Sequence, residues 1–380
     1  MVSDLNSTPD PRSAYAYPSV RQEPTLASPL ADALADLEAA LEAADGERLS
    51  TALQQFGSRL GPAGPQESAA VGPALAALLP AVPPFPRAHL AMMVGACVER
   101  GADPAACAGP VLAGLRGALS GALLLLDRWK ETGGGPLPDP DEESPAQAHQ
   151  RIEDREQLDE WNAHRAVAGW WTLHLWQMAS FAVYSHAAVR TSARASGVTD
   201  VLLELVDRYS AEQHDLKGLA YLARTLDDEP LLVLDRPTGT GYLLRMDGLA
   251  DNFQLHTLLA DQLIGGGHLP GVAPDPEVVA LSRTEQVDGH RRLIAQGSFN
   301  LVAPDGSWIW NEGTPGDIPV VDGIRTLVLD PQPYERSWSA GRFIQEIPGD
   351  LRLERVLTPS EAATALAGVA PAQPSEQAFR

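Results

Sequence analysis

Residues 166–189 read Ala-Val-Ala-Gly-Trp-Trp-Thr-Leu-His-Leu-Trp-Gln-Met-Ala-Ser-Phe-Ala-Val-Tyr-Ser-His-Ala-Ala-Val, between Arg165 and Arg190. The stretch contains no charged residue and is long enough to cross a bilayer. It also carries polar side chains, such as those of Thr172 and Gln177, and no second stretch of this kind stands out. An apolar helix of this length is normally either membrane-spanning or buried in a bundle. We expect a central helix of a helical bundle, with no membrane insertion.

Apolar spacing on the N-terminal side of this stretch predicts further helices. Leu30, Leu34, Leu37 and Leu41 lie at i, i+4, i+7 and i+11, which places them on one helical face. The same spacing recurs at Leu49, Leu53, Phe56 and Leu60. Two short striped helices in succession are typical of an αα-hairpin. The first part of the chain is therefore expected to be all-α.

The periodicity changes after Asp227-Asp228-Glu229-Pro230. The runs 231–234 and 242–246 flank Arg-Pro-Thr-Gly-Thr-Gly, beginning at Arg236, and predict a first β-hairpin. The runs 299–302 and 308–310 flank Ala-Pro-Asp-Gly-Ser and predict a second. Hairpins favour an antiparallel sheet. We predict an α+β multidomain chain, in which an all-α helical bundle or helical array precedes a smaller α+β domain with a mainly antiparallel sheet. The predicted segments are a flexible tail at 1–27, the helical domain at 28–228 with a Gly- and Pro-rich linker at 132–148, the α+β domain at 229–368 and a flexible tail at 369–380.

Composition restricts the classes of partner. The 380 residues include 28 Lys and Arg against 50 Asp and Glu, which gives a net charge of −22. Binding to nucleic acid or to an anionic membrane surface requires clustered cations, so we expect neither. The two cysteines, Cys97 and Cys107, form no CxxC pair and no disulfide framework. The acidic composition indicates a soluble, cytoplasmic protein, and the Ala-, Arg- and Pro-rich, Lys-poor usage indicates a bacterial genome.

The loop-rich region from Trp308 to Arg342 is the first candidate site, because aromatic residues mixed with polar and charged residues on loops suit recognition of a ligand or a protein. The predicted binding residues are Trp308, Trp310, Asn311, Asp317, Tyr334, Trp338 and Arg342. In the alternative interpretation the aromatic rings cover the sheet of a small domain and the polar groups cap turns.

A second candidate begins at Asp247-Gly-Leu-Ala-Asp-Asn-Phe-Gln-Leu-His256, which joins a predicted strand to a predicted helix. If the protein is an enzyme, His256 is the general base, Asp251 its orienting group, Glu312 a second acid–base group and Arg336 an anion clamp. The alternative is a capped helix with a partly buried histidine.

We expect no metal and no cofactor. Glu156, Glu160 and His164 lie at i, i+4 and i+8, but the pattern occurs once and charged neighbours favour a solvated face. Common motifs for nucleotide binding, zinc hydrolysis and serine hydrolysis are missing from the sequence. Whether the tryptophan-rich helix only packs or lines a ligand pocket stays open.

These patterns favour a non-enzymatic accessory or interaction protein. The helical part would be the scaffold and the α+β part the recognition surface. A partner protein with a basic face is the natural expectation for an acidic surface. The alternative is an enzyme with a dispersed acid–base site between the two halves, because ligand pockets favour such interfaces.

Overall fold

A computed structural model describes residues 28–153, 158–213, 216–286 and 292–374. The chain belongs to the α+β class, with a helical N-terminal half and a mainly antiparallel sheet in the C-terminal half. The segment expected to be a tail at 1–27 lies outside the described residues.

The N-terminal half, within the described ranges, contains ten α-helices, five of which begin at a proline. They are α1 (Pro29–Glu42), α2 (Gly46–Leu60), α3 (Pro65–Leu78), α4 (Pro84–Glu99), α5 (Pro104–Glu131), α6 (Pro145–Ile152), α7 (Glu160–Tyr184), α8 (Ala187–Ala195), α9 (Val198–Ser210) and α10 (Lys217–Arg224). The predicted stripe of α2 is buried, and that of α1 is buried or partly buried. The region predicted as a linker at 132–148 ends earlier than expected, because Pro145 is the first residue of α6.

Helices α5 and α7 pack against each other through small residues. A Cβ atom on Gly169 would lie 2.6 Å from the carbonyl oxygen of Ala118, and one on Gly121 would lie 2.5 Å from that of Arg165. The two backbones therefore approach closely only because neither position carries a side chain. This pair of helices forms the centre of the bundle.

The apolar stretch at 166–189 does not form one continuous buried helix. Ser185 ends α7 and His186 is the N-cap of α8, so the chain turns within the stretch. His174 and Met178 are exposed on one face of α7, while Trp171 and Trp176 are buried on another. Among the described helices, α5 is long and apolar enough to cross a membrane. However, 56% of its most apolar 18-residue segment is buried inside the protein.

The C-terminal half contains a main sheet, a separate two-stranded sheet and three helices in its described part. Its strands are β1 (Glu229–Asp235), β2 (Thr240–Asp247), β3 (Ile294–Gln296), β4 (Asn300–Val302), β5 (Val320–Val321), β6 (Ile324–Asp330), β7 (Ser337–Ser339) and β8 (Asp350–Val356). Its helices are α11 (Asn252–Ala260), α12 (Pro276–Arg283) and α13 (Pro359–Ala367).

The main sheet has the strand order β4-β6-β1-β2-β8, and β5 extends it by pairing with β6. The hairpin predicted around Arg236 is confirmed as the β1–β2 pair. The second predicted hairpin is present as a short antiparallel contact, in which Val302 and Trp308 form an isolated bridge and the amides of Ala303 and Ile309 donate to the carbonyls of Ser307 and Leu301. Strand β4 also pairs with β6. Strands β1 and β6 are parallel, and such a pair requires a long crossover connection, which here includes α11 and α12.

The two halves share buried contacts. Leu226, just after α10, and Leu249, just after β2, exchange two backbone hydrogen bonds. The side chains of Ile344 and Ile347, from the loop before β8, belong to the hydrophobic core of the helical half. Part of the tail predicted at 369–380 is attached, because the amides of Ala370 and Gln373 donate to the carbonyls of Pro304 and Gly306. Residues 375–380 of that tail lie outside the described residues.

Candidate functional site

The first turn of α11 forms hydrogen bonds with two loops of the C-terminal half, at Gly313 and at Phe343. Asp251 is its N-cap, and its two carboxylate oxygens accept from the amides of Gln254 at 2.8 Å and Phe343 at 2.9 Å. Burial raises the pKa of Asp251, against these hydrogen bonds and the nearby charge of Arg342. The carboxylate therefore joins the start of α11 to the loop after β7.

His256 lies one turn further along α11 and is fully buried. Its Nε2 atom accepts from the amides of Ser298 at 2.8 Å and Phe299 at 3.3 Å, so the proton lies on Nδ1, which faces Oδ1 of Asn311 at 3.3 Å. Burial lowers the pKa of His256 to about 4. The ring is thus neutral at pH 7, and the lone pair that a general base would use is occupied.

A cleft of about 480 Å³ runs between α10 and the loops of the α+β half. Its lining residues are Lys217, Tyr221, Asp251, Phe253, Arg292, Leu293, Glu312, Ser339, Ala340, Gly341, Arg342, Phe343 and Gln345. A volume of this size falls in the range of small-molecule and peptide side-chain sites.

Aromatic rings and a lysine form one wall of this cleft. The rings of Tyr221 and Phe343 lie 4.5 Å apart between centroids, and the Nζ atom of Lys217 is 5.3 Å from the first and 5.8 Å from the second. The Tyr221 hydroxyl donates to the carbonyl of Glu312. Burial raises the pKa of Tyr221, and the negative charges of Asp251, Asp317 and Glu312 add to the effect.

Arg342 fixes the opposite wall. Its guanidinium donates to the carbonyls of Leu281, Glu285 and Gln345 at 2.7, 2.9 and 2.7 Å, so it caps the carboxyl end of α12. Burial lowers the pKa of Arg342. The buried guanidinium of Arg342 therefore donates its hydrogen bonds to backbone carbonyls and not to a side chain of the cleft.

A second group of predicted residues meets elsewhere. Trp308 lies 5.5 Å from Trp310 and 6.5 Å from Tyr334, between ring centroids. The Arg336 guanidinium is 5.2 Å from the Tyr334 ring and donates to Oδ1 of Asn300 at 2.8 Å. We call Trp308, Trp310, Tyr334 and Arg336 the aromatic cluster.

The predicted residues are thus divided among several places. Asp251, Glu312 and Arg342 line the cleft. His256, Asn311 and Trp338 lie together, with the Trp338 and His256 rings 5.0 Å apart. Asp317 closes a short 3-10 turn by accepting from the amide of Thr314.

Sequence reasoning missed much of the cleft wall, namely Lys217, Tyr221, Phe253, Arg292 and Phe343. Lys217 carried a signal, because it is one of only two lysines in the chain. Tyr221 lies one turn after it on the same helix face, which was a weaker signal.

No metal site is formed by the residues that the structure describes, since no group of three or more His, Cys, Asp or Glu side chains meets there. Glu156 of the sequence pattern lies outside those residues. The described residues form a two-part α+β protein with a cleft between its halves. Comparison of the chain with protein-family models, with curated proteins and with solved structures finds no match.

Proposed function

We propose that this is a bacterial, cytoplasmic accessory protein that acts by binding another protein, with the cleft between its halves as the recognition site. The observation that carries the proposal is the presentation of Phe343. Its ring is 47% exposed at the cleft rim, while its own amide is bonded to the buried carboxylate of Asp251. A fixed, exposed aromatic ring gives contact area at a small entropic cost.

The charged residues of the cleft favour a binding function over a catalytic one. Asp251 and Arg342, the buried charged groups, bond to backbone amides and carbonyls. Lys217 and Glu312 are exposed at the rim, where attraction or repulsion by their charges can discriminate between partners. Because the chain carries a net charge of −22, a partner with a basic face would be steered toward it.

A photoreactive phenylalanine analogue at position 343, introduced in the source cell, tests this proposal. We expect crosslinks from position 343 to one defined protein, identified by mass spectrometry. The same analogue at Val272, which is 89% exposed and lies away from the cleft lining, is the matched control. No crosslink from 343, or an identical pattern from 343 and 272, would contradict the proposal.

A second candidate function, an enzyme with its acid–base site between the halves, is favoured by one observation. Asp251 and Glu312 line the same cleft. Native mass spectrometry of the purified protein, beside its denatured mass, tests this candidate. A retained small molecule that Glu312→Gln leaves bound but unconverted would favour the enzyme, whereas a bare chain favours the binding protein.

A further inference from the structure

Three arginines of the helical half line one cavity of about 340 Å³. This cavity shares no lining residue with the cleft. Arg87 comes from α4, Arg116 from α5 and Arg165 from α7. The residues that line the cavity include no Asp and no Glu. In a chain with 50 acidic and 28 basic residues, a cavity of this charge is unexpected from composition alone.

The three guanidiniums lack acidic partners. Among the described residues, no carboxylate lies within 4.0 Å of Arg87, Arg116 or Arg165. Arg87 donates to the carbonyls of Val82 at 2.7 Å and Pro80 at 3.3 Å, which fixes its position at the cavity wall. Burial, followed by the positive charge of Arg165, lowers the pKa of Arg87. An anion in the cavity would remove this repulsion.

Small residues and tryptophans shape the cavity. A Cβ atom on Gly114 would lie 2.1 Å from the Trp176 ring, so glycine allows this ring to lie across α5 as part of the lining. A Cβ atom on Gly117 would meet nothing within 4 Å, so this side of α5 faces open space. Trp161 also lines the cavity and is 59% exposed, which leaves a flat apolar surface near its mouth.

We propose that this cavity, the arginine pocket, binds a small molecule that carries a phosphate or pyrophosphate group. Each guanidinium presents a planar fork of N–H donors that matches phosphate oxygens, and three positive charges suit a multiply charged anion. The volume is at the lower end of the range for small-molecule sites, which leaves room for the phosphate and a modest organic part beside Trp161. This site is independent of the cleft and of its proposed partner.

Isothermal titration of the full chain with inorganic pyrophosphate tests the proposal. The titration is run at a constant ionic strength of about 0.1 M, because salt screens exposed charges over about 10 Å. We expect saturable binding with one site per chain. Arg116→Gln and Arg165→Gln should each raise the Kd about tenfold or more, since each removes charge-assisted hydrogen bonds.

Arg48→Gln is the matched control, because Arg48 is an exposed arginine on α2 and does not line the arginine pocket. It makes the same change of charge in the same half, and its Kd should stay within twofold of wild type. Circular dichroism verifies that each variant is folded. Absence of saturable binding, equal losses in all three variants, or binding of citrate in place of pyrophosphate would overturn the proposal.

Discussion

The Nε2 atom of His256 accepts a hydrogen bond from the backbone amide of Ser298 at 2.8 Å. The bond links α11 to the loop that precedes β4; His256 is fully buried and Ser298 is partly buried. It identifies His256 as a support for the loops next to the cleft, because its acceptor nitrogen is already in use.

Replacing His256 should destabilise the protein. His256→Gln removes the acceptor for the Ser298 amide, which is partly buried, and the partner of the buried Asn311 side chain. Leaving such groups unsatisfied costs about 2–4 kcal/mol in the free energy of unfolding. Urea denaturation at pH 7 measures the loss. His174→Gln, at an exposed position on α7, is the control and should change stability by less than about 0.5 kcal/mol. Equal effects of the two substitutions would refute the structural role.

The same histidine gives the stability a pH dependence. The pKa of His256 is about 4 in the folded chain, against the ordinary histidine value of 6.5 that holds in an unfolded chain. Between these pKa values the unfolded chain binds the extra proton, so stability falls as the pH drops through this window. The free-energy advantage of wild type over His256→Gln should shrink by about 2 kcal/mol from pH 7 to pH 5. An advantage that stays constant in paired denaturation curves would show that the ring is not buried as neutral imidazole.

The contact between α5 and α7 can be tested with two glycines. Gly169→Ala would place a methyl group 2.6 Å from the Ala118 carbonyl oxygen, so the helices must move apart, at a cost of about 1–3 kcal/mol. Gly117→Ala lies on α5, where a Cβ meets nothing within 4 Å, and it should stabilise the helix by up to about 1 kcal/mol. Thermal denaturation of the two variants should therefore shift in opposite directions. A shift of the same sign in both would contradict the close helix contact.

A buried ion pair joins α8 to the chain segment before β1. The Arg190 guanidinium, 2% exposed, donates from Nε and Nη2 to both oxygens of Asp227, at 2.8 and 2.5 Å. Arg190→Met leaves that carboxylate with Arg194 at 3.6 Å, and we expect a loss of about 3–5 kcal/mol.

The control for this prediction is Arg208→Met. The Arg208–Asp127 pair is exposed, and exposed pairs contribute at most about 1 kcal/mol. Guanidinium chloride denaturation monitored by tryptophan fluorescence compares the two variants. Similar losses in both would mean that burial of the Arg190–Asp227 pair adds nothing to stability.

Local signals in the sequence predicted the local structure. Ser28 precedes Pro29 and caps α1, the stripe from Leu49 to Leu60 is buried, and the sequence Thr358-Pro-Ser-Glu361 forms the capping box of α13 that such a pattern predicts. Each depends on residues within a few positions of one another, so the sequence pattern carries the necessary information.

Long-range pairing could not be predicted in the same way. The pairing of Val302 with the nearby Trp308 follows from local signals, but its pairing with Val328 of β6 does not, because that strand lies more than twenty residues away. The cleft has the same limitation, since Lys217 and Phe343 are brought together only by the contact between the two halves. The break at Ser185 was hidden by the uninterrupted apolar composition around it.

The affinity of the partner captured at position 343 tests the central claim most directly. Isothermal titration should compare wild type with Phe343→Ala at the cleft and Tyr334→Ala in the aromatic cluster, both exposed aromatic positions. We predict that Phe343→Ala raises the Kd about tenfold or more and that Tyr334→Ala leaves it within about twofold. Unchanged affinity in Phe343→Ala, with both variants folded, would contradict the assignment of the cleft as the recognition site.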